Sequence, residues 1–369
     1  MQSNTPSGIP FTMRVKSFVN RILARMAGIP FIMKVNSFVT RILARMAGII
    51  AIVLRIKSFV NKSPARMAVI IAIALYAFTI WRVPTAFNSG AIITIIMLTL
   101  LLSFASIGQT LVLIGGGLDF TIGAVMSSTA IITVTIMNGM DGNFFQAFVV
   151  VMFVSILIGS INGLCTVKIG LPPLIVTLAI ANVISRMQFV LTGGSPIGRA
   201  APAFINTINY RFFGIIPSLA LYALIIFPLV FYLLNRSRYG RQLYLVGNNP
   251  EAARLAGMNA NRVKFLSYVF SAMFAGFAGM LEAGYRQTAL PMGLDGYAFT
   301  SLIAVIVGGT AFTGGVGSYT GSIAGALLMI VLSNMLTTLM LPLPIQNIVM
   351  GSVMVLLLLF YNRRKAVRQ

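Results

Sequence analysis

Histidine is absent from this chain, cysteine occurs once, and acidic residues number five in 369. Without histidine there is no Ser–His–Asp triad. Five scattered acids do not make the carboxylate pair of a glycoside hydrolase. The single thiol, Cys165, sits in an apolar run and cannot close an intrachain disulfide. No histidine and one cysteine also argue against structural zinc, and no metal or other cofactor is expected. Charge itself is scarce, at 9% of residues, where a soluble domain carries about 25%. So few charges cannot cover a water-facing surface.

Hydrophobic residues are plentiful instead, at 58%. Apolar runs recur at roughly the length that crosses about 30 Å of hydrocarbon. The pattern predicts an all-α membrane protein with about ten transmembrane helices, near residues 67–81, 90–110, 120–138, 144–167, 173–192, 216–235, 264–284, 297–312, 319–340 and 344–361. The charges test that count. Lys and Arg total 27, for a net charge of +22, which in a soluble protein would point to nucleic acid. Here the basic residues cluster at segment ends, as membrane topology requires, so no nucleic-acid partner is expected. Arg236, Arg238, Arg241, Arg254, Arg262 and Lys264 lie after the sixth expected span, and Arg363, Arg364, Lys365 and Arg368 lie after the tenth. Both groups fall on the side of the basic N-terminal arm, so both termini are expected in the cytoplasm. Lys168 fits this bias, whereas Arg82, Arg199 and Arg211 oppose it.

Residues 1–67 differ from the rest. GIPFTMRVKSFVNRILARMA from Gly8 returns as GIPFIMKVNSFVTRILARMA from Gly28, identical at 16 of 20 positions, and a degraded third copy starts at Gly48. At helical spacing Phe11, Val15, Phe18, Ile22 and Met26 share one face, with Arg14, Arg21 and Arg25 beside it. That is a basic amphipathic helix suited to an anionic membrane surface. The alternative is a recently duplicated extension without a role in transport. The organisation expected is an extension at 1–67, a membrane domain at 68–362 with a cytoplasmic loop at 236–264, and a basic tail at 363–369.

Three stretches carry chemistry. The first, LVLIGGGLDFTIG at 111–123, sets three glycines beside Asp119. Irregular backbone at membrane depth survives only inside protein or beside a wet cavity, and a carboxylate there is costly. Either the segment borders a passage, or it is a helix end at the interface with Asp119 capping the next helix. The second, VGGTAFTGGVGSYTGSIAGA at 307–326, is rich in glycine and small hydroxyl residues. Paired glycine-interrupted segments point to a transport pathway, while close helix packing explains them equally. It is not a phosphate-binding loop, since no Gly-Lys-Ser/Thr follows, so the chain is not expected to hydrolyse ATP. The third, GNNPEAARLAGMNANRVKF, lies at 247–265. Asn249 suits a helix N-cap, Pro250 the first turn and Gly257 the stop, predicting a helix over 250–256 in water. Glu251 favours its positive end. Such a helix serves either as a docking element or as an ordinary surface helix.

These stretches, in this order, resemble the permease family of bacterial ABC importers for ribose, other simple sugars and autoinducer-2. LIGGGLDFTIG is similar to that family's GGIDLSVG-like stretch. Asn162-Gly163-Leu164 with PPLIVTLA at 172–179 resembles its NGL…PPFIVTL, and LTGGSPI at 191–197 also looks familial. GNNPEAARLAGM matches GNNPEAARLSGI, and IVGGTAFTGGVGS resembles VIGGTSLSGGRGS. The likeness covers about residues 84–360. Phe120 and Thr121 stand where Leu-Ser is usual, and Val316 where a basic residue is common.

The resemblance implies a permease subunit in a bacterial cytoplasmic membrane with the ten-helix arrangement of vitamin B12-type importers. Its partners would be a second permease chain, cytoplasmic ATPase subunits and an extracytoplasmic sugar-binding protein. Asn249, Pro250, Glu251, Arg254 and Gly257 would form the element coupled to the ATPase. Gln109, Asp119, Asn162 and Thr177, with Gly116, Gly117, Gly308, Gly309, Gly314 and Gly315, would border a weakly binding passage. An ion-coupled carrier is the competing reading, with Asp119, Arg186 and Glu282 as sparse relay material. Nucleosides or branched-chain amino acids are alternative cargoes.

Overall fold

The computed structural model describes residues 63–363, with side chains through residue 353. The repeated extension up to residue 62 and most of the basic tail lie outside the described residues. Thirteen α-helices and one short hairpin make up the described chain. They are α1 Pro64–Arg82, α2 Ser89–Ile114, α3 Ile122–Met137, α4 Phe144–Val167 and α5 Pro173–Thr192. The short α6 Pro202–Asn209 precedes β1 Arg211–Phe212 and β2 Ile216–Pro217, which pair antiparallel. There follow α7 Leu219–Asn235, α8 Arg238–Asn248, α9 Pro250–Leu255, α10 Ala260–Arg286, α11 Tyr297–Val307, α12 Tyr319–Thr338 and α13 Leu343–Arg363.

Six of these helices are long and apolar enough to cross a membrane: α1, α2, α4 with the turn before it, α5, α10 and α12. The pair α7 and α8, bent by 59°, makes a seventh if taken as one span. The helix α3, the helix α11 and the described part of α13 are apolar but shorter. This is a multi-pass, all-helical membrane protein. At about 1.5 Å per residue, α11 covers only about 16 Å, half of a hydrocarbon core. The expected span at 297–312 therefore contains a helix that stops at Val307, where Gly308 and Gly309 interrupt it.

The surface fits that solvent. Phe153, Ile175, Leu224 and Ile225 are all more than 60% exposed, an apolar exterior that water would not tolerate. Inside, α10 is the central post, packed against α2, α3 and α4. Small residues permit the approach: a Cβ at Gly159 on α4 would lie 2.7 Å from the Tyr268 carbonyl oxygen, and one at Gly279 on α10 would lie 2.3 Å from that of Met126. Hydrocarbon gives helices no hydrophobic reason to associate, so close packing takes over. Phe104 on α2 meets Phe227 at 5.4 Å and Phe277 at 5.6 Å, filling the space between α7 and α10.

Candidate functional site

The stretch after the sixth apolar run folds into two helices, and the second is the one its caps predict. Asn249 Oδ1 accepts from the Glu251 and Ala252 amides at 3.1 and 3.0 Å, satisfying two of the orphan donors at a helix start. At the other end Gly257, at φ +79°, sends its amide to the Arg254 carbonyl, a left-handed stop that a side chain would strain. Arg254 bonds Glu251 at 2.7 Å and Asn261 on α10 at 3.1 Å. The inner side is fixed by buried Ala253, while Glu251, Ala252, Arg254 and Leu255 face outward. Leu255 is 91% exposed, an apolar side chain at the tip of an otherwise polar turn.

Three residues before this helix, at Gly247, the chain passes through a junction made almost entirely of backbone. A Cβ placed on Gly247 would sit 1.8 Å from the Ile114 carbonyl oxygen and 2.7 Å from the Gly315 amide nitrogen. The Gly315 amide donates to that same Ile114 oxygen at 2.8 Å. Gly314 fits against Gly116: its Cβ would lie 2.8 Å from the Gly116 Cα and 2.8 Å from the Gly247 oxygen. Tyr244 on α8 adds a hydrogen bond to the Gly317 carbonyl at 2.8 Å. The three sequence stretches thus meet at one place, the end of α2, the end of α8 and the loop after α11. The remaining glycines lie apart. Gly117 is against Tyr268, Gly308 is against Gly321 on α12, and Gly309 is against Pro64 at the start of α1.

Deeper in, Asp119 is wholly enclosed. Its Oδ1 accepts from the Thr121 amide at 2.9 Å and from the Thr121 hydroxyl, and its Oδ2 accepts from Ser271 at 2.7 Å. Asn162 on α4 donates to the Thr121 hydroxyl at 2.9 Å. One carboxylate thereby ties the start of α3 to α4 and α10, which satisfies a group that lipid could not. Gln109 is equally buried, with neither side-chain atom partnered among the described residues. Thr177 is buried on α5 and bonds back to its own helix at Pro173. Of the carrier-relay residues, Glu282 is buried and paired with Arg286 at 2.6 Å, while Arg186 lies exposed on α5.

A second polar cluster was not foreseen. The turn at 287–296, between α10 and α11, is clamped onto α3 and α5. Gln188 donates to the Ala124 carbonyl and Ser128 and accepts from the Met292 amide, and Ser127 accepts from the Leu294 amide. The clamp presents Asp295, whose Oδ2 accepts from Ser185 at 2.8 Å and whose Oδ1 accepts from Ser127 at 3.4 Å. A signal existed: Gly293-Leu294-Asp295 repeats Gly117-Leu118-Asp119, and each precedes a short apolar helix. Elsewhere, a cavity of about 520 Å³ beside the hairpin is lined by Tyr210, Phe212, Leu221 and Tyr222, and holds none of the residues selected from sequence.

Comparison with known proteins bears on this geometry. A family model described as branched-chain amino acid transport system / permease component matches residues 91–358. The chain is 29% identical over 287 residues to the ribose import permease of Escherichia coli, covering 76% of this chain and 88% of that one. It is 31% identical over 254 residues to a probable ABC transporter permease of Sinorhizobium fredii, covering 69% and 75%. A galactose/methyl galactoside import permease of Haemophilus influenzae is 30% identical over 270 residues, covering 68% and 80%. No solved structure matches the chain.

Proposed function

Because the chain belongs to the permease family described by that model, we propose that it is the membrane-spanning subunit of an ATP-driven importer that carries a sugar. The observation that carries this reading is the seating of the Asn249-capped helix directly beyond the glycine junction. An exposed rigid turn, joined to the membrane core by backbone contacts, suits a docking element that receives movement from a partner. Asn249, Pro250, Glu251, Arg254 and Gly257 form that element, with Leu255 as its apolar anchor.

In this reading the ten apolar segments all cross a bacterial cytoplasmic membrane, and both termini lie inside, as the distribution of Lys and Arg favours. The arrangement is that of the vitamin B12-type importers. A second permease chain completes the passage, cytoplasmic ATPase subunits drive it, and an extracytoplasmic binding protein delivers the sugar. Hydrolysis belongs to the partner, since no Gly-Lys-Ser/Thr loop is present in this chain. Gln109, Asp119, Asn162, Thr177 and the glycines Gly116, Gly117, Gly308, Gly309, Gly314 and Gly315 border the passage as its frame. The burial of Gln109, Asp119, Asn162 and Thr177 and the close packing of the glycines favour holding the walls over binding the cargo. A weakly binding interior suits a transporter whose delivery protein already supplies affinity.

Uptake of labelled ribose, galactose, fructose and leucine by cells making the full set of subunits tests the reading. Sugar uptake should stop when ATP is depleted with the proton gradient held, and persist when the gradient is collapsed with ATP present. The reverse result assigns an ion-coupled carrier, and uptake of leucine alone removes the sugar. Glu251→Lys reverses the charge at the dipole's positive end and should abolish uptake and weaken ATPase association while membrane insertion stays intact. Normal uptake in that variant would remove Glu251 from the coupling role.

A further inference from the structure

The outward face of α5 holds a polar strip inside an apolar field. Leu174, Ile175, Val183, Met187 and Val190 are exposed there, as hydrocarbon would permit. Asn182 and Arg186, four residues apart on one face, are exposed as well. Arg186 sits six residues, about 9 Å at 1.5 Å per residue, before the end of the helix at Thr192. A cation on an apolar span turns to water, to protein or to the interface rather than to hydrocarbon.

Next to it stands Asp295, partly open, held by Ser185 and Ser127. Ser185, which donates to the Asp295 carboxylate, is the immediate neighbour of Arg186 in the chain. Yet the ion pairs formed among the described residues are Arg254 with Glu251 and Arg286 with Glu282, not Arg186 with Asp295. The turn that carries the carboxylate is pinned, and Ser185 and Ser127 hold its oxygens. Gln188 and Ser127, each at most 5% exposed, grip its backbone. A Cβ on Gly123 would meet the Asp295 carbonyl oxygen at 2.5 Å, so this turn lies directly on the first turn of α3.

We propose that Arg186 and Asp295, with Asn182 beside them, contact the sugar in transit and set which sugars pass. This rests on the importer reading. A hydroxyl accepts from a guanidinium and donates to a carboxylate at the same time, so opposite charges held apart suit a polyhydroxylated solute. Two such groups read the spacing and orientation of neighbouring hydroxyls.

Two measurements test it in cells with the complete importer, after wild-type uptake has been shown to depend on ATP. Maximal uptake of ribose, galactose and fructose is compared for wild type, Arg186→Gln, Asp295→Asn and Val183→Ala. The first two variants should lower maximal uptake by about tenfold or more, the cost of one hydrogen bond to a charged group, and should change the ratio between sugars. The concentration at half-maximal uptake, set by the binding protein, should hold, and Val183→Ala should behave as wild type. Separately, with Cys165→Ser as background, Arg186→Cys should react with a membrane-impermeant, charged thiol reagent, and saturating substrate sugar should slow that reaction. Unchanged sugar ratios in both charge variants overturn the proposal. So does an Arg186→Cys thiol that never reacts, which would place the strip against lipid or a second copy of the chain. Wild-type uptake independent of ATP would instead overturn the importer reading itself.

Discussion

Asp119 and Asp295 each follow Gly-Leu and each precede a short apolar helix, yet they live in opposite surroundings. Asp119 is enclosed and accepts three hydrogen bonds from two residues. Asp295 is partly open, accepts two, and keeps an exposed cation nearby. The difference shows how one sequence device serves two ends. A carboxylate just ahead of a helix inside a membrane must have donors. Where protein supplies all of them, the group is structural. Where protein supplies only some, capacity is left for a passing solute.

The contrast can be broken or sharpened by substitution. The largest effect is expected for Asp119→Ala, which strips the acceptor from Thr121 and Ser271 and leaves buried donors without partners. It should cost about 3 kcal/mol, read as a lower thermal unfolding midpoint in detergent and less chain in the membrane. Next comes Gly123→Ala, which touches both carboxylate regions. Its methyl would strike the Asp295 carbonyl oxygen and force the turn off α3, at about 2 kcal/mol. It should also alter sugar ratios, because Asp295 moves with the turn. The smallest effect on stability belongs to Asp295→Asn, at under about 1 kcal/mol, with an unchanged unfolding midpoint beside depressed uptake. A midpoint shift for Asp295→Asn equal to that of Asp119→Ala would erase the distinction.

Much of the helical pattern is legible in the sequence because apolar runs and their breakers are local properties. Asn249, Pro250 and Gly257 mark the ends of α9 to within a residue, since capping depends on the backbone next door. The amphipathic α8 and the hairpin at 211–217 went unseen, the first inside a stretch legible only as basic, the second too short for a periodic signal. The glycine stretches read equally well as passage or as packing, and the distances favour packing. What no local pattern could supply is their meeting point: Gly116, Gly247 and Gly314 are separated by 131 and 67 positions in the chain. The Asp295 cluster was hidden for the same reason, since its partners Ser127 and Ser185 sit on two other helices.

The contact among Ile114, Gly247 and Gly315 has a mechanical consequence. Side chains bend and swap rotamers, so a push delivered through them is partly absorbed. Here the touching atoms are carbonyls, amides and α-carbons, with no side-chain torsion between them. A displacement at the start of α9 is therefore expected to pass to the foot of α2 and the loop beyond α11 with little side-chain slack to absorb it.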